Sequence, residues 1–127
     1  MIGSTRQIRA FALGRPVDMR KGFEGLAALV RDELGADVLS GDLYLFTGKN
    51  RKRAKVLLWD GTGLCLFAKR LERGRFAALW RDAERASLRL TLTELQLFLE
   101  GSALVGTMLL SPRALGEKDL CPGTRVR

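Results

Sequence analysis

Runs of alternating apolar and polar residues predict that much of this chain forms β-strands. The first run covers residues 6–13 and is followed by Gly14 and Pro16, which favour the end of a strand. Three further candidate strands lie at residues 42–47, 54–60 and 64–70. Because short polar turns join these three, they read as an antiparallel meander. Residues 75–80 suit a strand, a helix or a loop equally well.

Two segments have the spacing of an amphipathic helix instead. The first helix is predicted to begin after Asp18, a favourable N-cap, and to stop at Gly35. Its apolar positions are Met19, Phe23, Leu26, Val30 and Leu34. The second helix is indicated by a capping box between Thr93 and Gln96 and stops before Gly101. Its apolar face consists of Leu95, Phe98 and Leu99.

These elements predict an α+β fold in which an antiparallel sheet of about four strands carries two main helices on one face. The chain has 127 residues, of which 46% are hydrophobic, so it is long enough to bury one hydrophobic core without disulfides or a structural metal. We expect a single domain at residues 1–110 and a loose tail at residues 111–127, where proline, glycine and charged residues are mixed.

The last two strands of the meander form a hairpin whose pairing is predicted from its turn. With Gly61 to Gly63 as the loop, Trp59 faces Cys65, Leu57 faces Phe67 and Lys55 faces Lys69. Both sides of this hairpin are then apolar, so either both are covered or one is a binding surface. We expect Trp59 and Phe67 to be core residues, the alternative being an aromatic surface on which bases stack.

Positive charge is concentrated in this part of the chain. Residues 49–75 contain nine basic and two acidic residues, and therefore hold +7 of the net charge of +8. Such a cluster attracts polyanions, of which nucleic acid is the commonest, although lysines also protect the edges of sheets. The candidate DNA-binding residues are Lys49, Arg51, Lys52, Arg53, Lys55, Lys69, Arg70, Arg73 and Arg75.

Arg20 and Lys21 form a second candidate site. They fall in the first turn of the predicted first helix, where the helix dipole disfavours cations unless an anion docks there. The alternative is that they are ordinary surface cations.

Several function classes lack sequence support. The chain has no histidine, which removes the usual general base and the commonest metal ligand, and it has no glycine-rich phosphate loop. The 14 acidic residues are scattered, so no nuclease centre, enzymatic activity, metal site or cofactor is expected.

Cys65 and Cys121 suggest no disulfide framework, and no apolar run is long enough to cross a membrane. A soluble intracellular protein in a reducing compartment fits best.

Three stretches carry a family resemblance. The strings VDMRKGFEGLAALV, KVLLWDGTGLCLFAKRLERGRF and LTLTELQLFLEG occur in this order. Together they resemble the accessory protein TnpB of the insertion-sequence-66 family, the Orf2-like product of the second open reading frame. The resemblance runs from about Arg6 to Gly101. It implies a role in DNA transposition beside a separate, larger transposase, in the bacterial cytoplasm or at the nucleoid, and it supplies no biochemical mechanism.

Three functions follow as hypotheses. The first is a non-catalytic accessory factor that binds DNA, at the ends of the insertion sequence or at the target, through the basic residues of residues 49–75. The second is an adaptor that docks on the transposase through one apolar face of the hairpin or through the face formed by Leu95, Phe98 and Leu99, with the basic cluster only assisting. The expected partners are DNA, the transposase and the other accessory protein of the insertion sequence. The third, an RNA-binding regulator, has the least support because few aromatic residues are available for stacking. The DNA sequence, the step of transposition and the oligomeric state stay open.

Overall fold

The computed structural model describes residues 7–80 and 87–101, which form one five-stranded sheet with two helices. In chain order the elements are β1 (Ala10–Leu13), α1 (Phe23–Asp32), a short 3-10 helix (Val38–Ser40), β2 (Leu43–Thr47), β3 (Arg53–Trp59), β4 (Leu64–Arg70), β5 (Ser87–Leu90) and α2 (Leu92–Leu99). None of the helices in these two ranges is long and apolar enough to cross a membrane.

The strands lie in the order β4-β3-β2-β1-β5. The neighbours β1 and β2 are parallel, and the other three pairs are antiparallel. Helix α1 connects β1 to β2, as parallel neighbours need a crossover between them. The α+β class and the β2–β3–β4 meander are therefore confirmed. The sheet differs from the expected four antiparallel strands in having a parallel pair and in having β5, a four-residue strand too short to stand out from its sequence.

The two helices cover opposite faces of the sheet, so the prediction that both pack on one face is wrong. Successive side chains of a strand point to opposite faces. On β2, Leu45 belongs to the buried cluster that includes Phe98 of α2, whereas Tyr44 and Phe46 belong to the cluster that includes Leu26 of α1. Because the strands are apolar on both faces, each face needs its own cover.

Both helices begin at residues other than the predicted ones. Helix α1 starts at Phe23 with Gly22 as its N-cap, because the carboxylate of Asp18 closes a tight turn by accepting the backbone N–H of Arg20 at 2.9 Å. Helix α2 starts two residues earlier than expected. Its capping box joins Thr91 and Glu94, whose reciprocal hydrogen bonds measure 2.8 and 3.0 Å. The sequence offers two overlapping capping boxes here, and the structure uses the one with a charged residue at the helix start.

The pairing of β3 with β4 is shifted by one residue from the prediction. The turn spans four residues rather than three, since the backbone N–H of Asp60 bonds to the carbonyl of Gly63 at 3.1 Å. As a result Trp59 faces Leu64, and the predicted pairs Trp59–Cys65, Leu57–Phe67 and Lys55–Lys69 are wrong. A shift of one residue moves every side chain of one strand to the other face.

Residues 75–80 form neither a helix nor a strand, which settles the three alternatives in favour of a loop. Phe76 and Leu79 of this loop are nonetheless buried. The ring of Phe76 stacks on that of Phe98 with 4.9 Å between centroids, so the loop contributes to the core beneath α2. The predicted tail at residues 111–127 lies outside the described residues.

Candidate nucleic-acid interface

Three basic segments meet at one end of the sheet, which we call the basic end: residues 18–22, residues 48–53 and residues 69–76. Backbone hydrogen bonds join the last two, from Leu71 to the carbonyl of Lys52 at 2.8 Å and from Phe76 to the carbonyl of Arg51 at 2.7 Å. The first segment is attached by the ammonium of Lys55, which donates to the carbonyl of Lys21 at 2.9 Å.

A groove of about 450 Å³ opens between these segments. Its cations are Arg53, Lys55, Lys69 and Arg70, and its other lining residues are Met19, Ala54, Ala68 and Glu72. A second depression of about 640 Å³ adjoins it, shares Met19 and Arg53, and adds Lys49. We call the two together the basic groove. It is open to solvent and lined by five of the predicted cations, so its charge suits a chain of anionic groups.

Two arginines of the basic groove directly face each other across strands. Arg53 on β3 is paired with Arg70 on β4, and both side chains are exposed. Like charges at directly opposite positions destabilise a strand pair. The opposed cations are thus Arg53 and Arg70, not the predicted Lys55 and Lys69. Lys55 faces Ala68 instead, and Lys69 lies on the other face of the hairpin.

The acidic residue Glu72 also lines the groove. Its carboxylate lies 3.6 Å from the guanidinium of Arg70, and both side chains are mostly exposed. An exposed ion pair of this length contributes little to stability. The contact therefore leaves Arg70 free to exchange Glu72 for another anion.

Arg20 and Lys21 precede α1 rather than lying in its first turn, because the helix starts at Phe23. Arg20 is paired with Asp18 at 2.9 Å. The hydrogen bonds from the side chain and backbone of Arg20 lower the pKa of Asp18 to about 2. The segment still belongs to the basic end, because the contact between Lys21 and Lys55 brings the two predicted sites together there.

Besides Lys55, two of the predicted DNA-binding residues donate hydrogen bonds to backbone carbonyls. The ammonium of Lys69 donates to the carbonyl of Leu99 at 2.6 Å, and the guanidinium of Arg51 donates to the carbonyl of Phe76 at 3.3 Å. Arg51 also has a positive φ of 62°, which places it at the sharp bend of its turn.

The remaining candidates differ in exposure. Lys49, Arg73 and Arg75 are exposed at the basic end, whereas Lys52 is half-buried. Met19 and Glu72 are groove residues that the sequence did not single out. The spacing of Met19 predicts that it lies on the apolar face of the first helix, and only its approach to Gly48 brings it into the groove.

The aromatic and apolar candidates do not form a common surface. Trp59 and Phe67 lie on opposite faces of the hairpin. Phe67 is 48% exposed, so the expectation that it is a core residue is wrong, while Trp59 is half-buried. On α2, Leu95 and Phe98 are buried in the core and are therefore not a docking face.

The turn of the hairpin and the start of β4 contain two further groups with perturbed pKa values. The backbone N–H groups of Thr62 and Gly63 and the hydroxyl of Thr62 hold the pKa of Asp60 at about 2. Burial and a hydrogen bond to Asp60 raise the pKa of Cys65. In residues 7–80 and 87–101 no three histidine, cysteine or acidic side chains are grouped so that they could hold a metal ion.

The fold and the basic groove together define a small α+β protein with one strongly basic end. The chain belongs to the IS66 Orf2-like protein family, whose model matches residues 8–107. This membership gives the protein an accessory role associated with transposition and with the machinery of an insertion sequence.

Two relatives from Sinorhizobium fredii are similar over most of their length. The protein named "Uncharacterized protein y4hO" is 38% identical over 101 residues, which cover 80% of this chain and 86% of the relative. The protein named "Uncharacterized protein y4jC" is 37% identical over 101 residues, covering 80% of this chain and 85% of the relative. No solved structure matches the chain.

Proposed function

We propose that this protein is a non-catalytic accessory factor of transposition that binds the phosphate backbone of DNA in the basic groove. The observation that carries this proposal is the cross-strand pair of Arg53 and Arg70. A fold that places two exposed guanidinium groups opposite each other carries an electrostatic cost when nothing is bound. A phosphate between them would convert that repulsion into two charge-assisted contacts.

The groove supports backbone contact rather than base reading. Its polar side chains are five cations together with Asp18, Asn50 and Glu72, and cations bind phosphates regardless of sequence. Because Trp59 and Phe67 lie on opposite faces, the hairpin provides no aromatic platform on which successive bases stack. We therefore expect duplex DNA to be bound with little sequence preference by the isolated protein.

The candidate residues divide into two groups by their contacts. Arg51, Lys55 and Lys69 are bonded to backbone carbonyls, so we assign them to positioning the turn, the segment before α1 and the hairpin. The DNA-contacting group comprises Arg53 and Arg70 at the centre, flanked by Lys49, Lys52, Arg20, Lys21, Arg73 and Arg75.

The proposal is tested by fluorescence anisotropy with a labelled duplex from the element's terminal repeat and a scrambled duplex, across ~50 to 300 mM salt. Each phosphate contact contributes about −0.9 to the slope of log affinity against log salt. We expect the double variant Arg53→Ala and Arg70→Ala to make the slope shallower by about 2.

A matched control removes two exposed arginines elsewhere, Arg31 on α1 and Arg89 on β5. It changes the net charge equally and is expected to leave the slope nearly unchanged. Equal losses in the two double variants would mean that binding follows net charge alone and would refute the groove. Absence of binding to any duplex at low salt would refute DNA contact by the isolated protein.

A second candidate function, the adaptor, is favoured by one observation. Phe67 is a large apolar side chain that is 48% exposed in the middle of β4. An adaptor would co-purify with the transposase after nuclease treatment and would lose that association in Phe67→Lys. Loss of the association on nuclease treatment would instead indicate that DNA bridges the two proteins.

A further inference from the structure

β4 is the terminal strand of the sheet, and no strand among residues 7–80 and 87–101 pairs with its outer edge. Edge strands are normally protected by charges, proline or bulges. Here residues 64–68 are five consecutive uncharged residues without proline or glycine, and the only charges lie at the end of the strand, at Lys69 and Arg70.

The hydrogen-bond phase of the hairpin shows which backbone groups face outward. Leu71 donates to the carbonyl of Lys52, and Asp60 donates to the carbonyl of Gly63. Bonded and non-bonded pairs alternate along an antiparallel ladder. It follows that Cys65, Phe67 and Lys69 bond to β3. The residues whose N–H and C=O groups point outward are Leu64, Leu66, Ala68 and Arg70.

We propose that the edge of β4 pairs with β4 of a second copy of this chain, in antiparallel orientation and centred on Phe67. In this register the outward groups of Leu66 bond to those of Ala68 in the other copy, and the same holds for Leu64 and Arg70. All seven residues of the strand are then paired. The proposal is independent of DNA binding.

The distribution of charge selects this arrangement. Antiparallel pairing centred on Phe67 sets the cationic end of each strand against the apolar end of the other. A parallel pair would bring Lys69 and Arg70 of the two copies together, which is destabilising. The two Phe67 rings become a directly opposite, non-hydrogen-bonded pair, in which side chains approach most closely. This pairing covers the most exposed part of an apolar strand.

The first test is sedimentation equilibrium of the full chain from ~1 to 100 µM. We expect a monomer–dimer equilibrium that weakens at least tenfold in Ala68→Pro. This substitution removes an outward N–H while keeping every hydrogen bond to β3. Ala68→Ser keeps the N–H and is expected to dimerise as the wild type does. Circular dichroism checks that each variant is folded.

Phe67→Lys supplies a second variant, because it sets two cations opposite each other at the centre of the interface. Its matched control is Phe23→Lys on α1, where the phenylalanine is 47% exposed against 48% for Phe67. A chain that stays monomeric throughout the concentration range overturns the proposal. The same result is expected if the transposase, and not a second copy, pairs with this edge. Dimers that persist in both Ala68→Pro and Phe67→Lys overturn it too.

The register is tested by disulfide cross-linking in a background with Cys65→Ser and Cys121→Ser. Two cysteines introduced by Phe67→Cys would have Cα atoms about 4.5 Å apart, which a disulfide can span. Cysteines introduced by Leu64→Cys would lie about 20 Å apart along the strands. We expect covalent dimers from the first variant and few from the second. Equal cross-linking of the two, or none in either, contradicts the register.

Discussion

The side-chain ammonium of Lys69 donates a hydrogen bond of 2.6 Å to the carbonyl oxygen of Leu99. Leu99 is the last residue of α2, where backbone carbonyls lack partners within the helix. A cation at this end also interacts favourably with the helix dipole. Lys69 therefore ties the edge strand β4 to the helix on one face of the sheet.

We expect Lys69→Met to lower the free energy of unfolding by about 1 to 2 kcal/mol, because it removes a charged donor from a helix terminus. DNA affinity should fall less than in Arg53→Ala. Urea denaturation and anisotropy measure the two effects. Lys49→Met, at an exposed position of the same basic end, serves as the control and should show the reverse pattern. A Lys69→Met protein of unchanged stability and much weaker DNA binding would make Lys69 a contact residue.

Arg53→Glu should separate stability from DNA binding. The new carboxylate would face Arg70 across the strand pair and replace repulsion with attraction, which raises the free energy of unfolding by about 0.5 kcal/mol. The same change should weaken DNA binding by more than tenfold, since it replaces a phosphate contact with repulsion. Chemical denaturation and anisotropy on the same samples check both signs. A destabilised Arg53→Glu protein would show that Arg53 and Arg70 do not destabilise the folded protein by repelling each other.

Gly48→Ala tests the packing that places Met19 at the groove. A Cβ at position 48 would lie 2.8 Å from Cγ of Met19, so the methionine has to move. We expect a loss of about 1 kcal/mol of stability from overpacking. The double variant with Met19→Ala should be less destabilised than the sum of the two single variants, because the clash is then absent. Additive effects in this double-mutant cycle would argue against contact between the two residues.

The stability contributed by Asp60 should depend on pH. Its pKa in the folded protein, about 2, lies below the usual 3.8. The ionised carboxylate is thus favoured by folding, and its contribution is fully present above pH 4 and is lost as the pH falls towards 2. Asp60→Ala should be less stable than wild type at pH 6, and the difference should shrink between pH 4 and 2. Urea titrations at several pH values measure it, and a difference that stays constant would contradict this role.

The sequence was most informative where one local pattern had one interpretation. The meander of β2, β3 and β4 followed from three apolar runs separated by polar turns, and β4 was predicted with its observed bounds. The concentrated positive charge of residues 49–75 likewise predicted the cations that line the basic groove. Gly35 has a positive φ of 61°, in keeping with the predicted stop after the first helix.

Errors arose where two local patterns competed. Thr91–Glu94 and Thr93–Gln96 both have the form of a capping box, and the helix start depends on which one the core accommodates. The hairpin turn offered loops of different length, and the carboxylate of Asp60 stabilises the longer one. That choice shifted the pairing by one residue and so replaced the opposed lysines with Arg53 and Arg70.

Local sequence thus determined the class of elements, the meander, the basic segment and the family resemblance, because periodicity, charge and motif are properties of neighbouring residues. Tertiary structure decided which cations share the groove and which face each helix covers. The reason is that both faces of the sheet are apolar, so hydrophobicity alone does not say where a helix docks. The approach of Met19 to Gly48 and of Lys21 to Lys55 joins parts of the chain about 30 residues apart, and only packing brings them together.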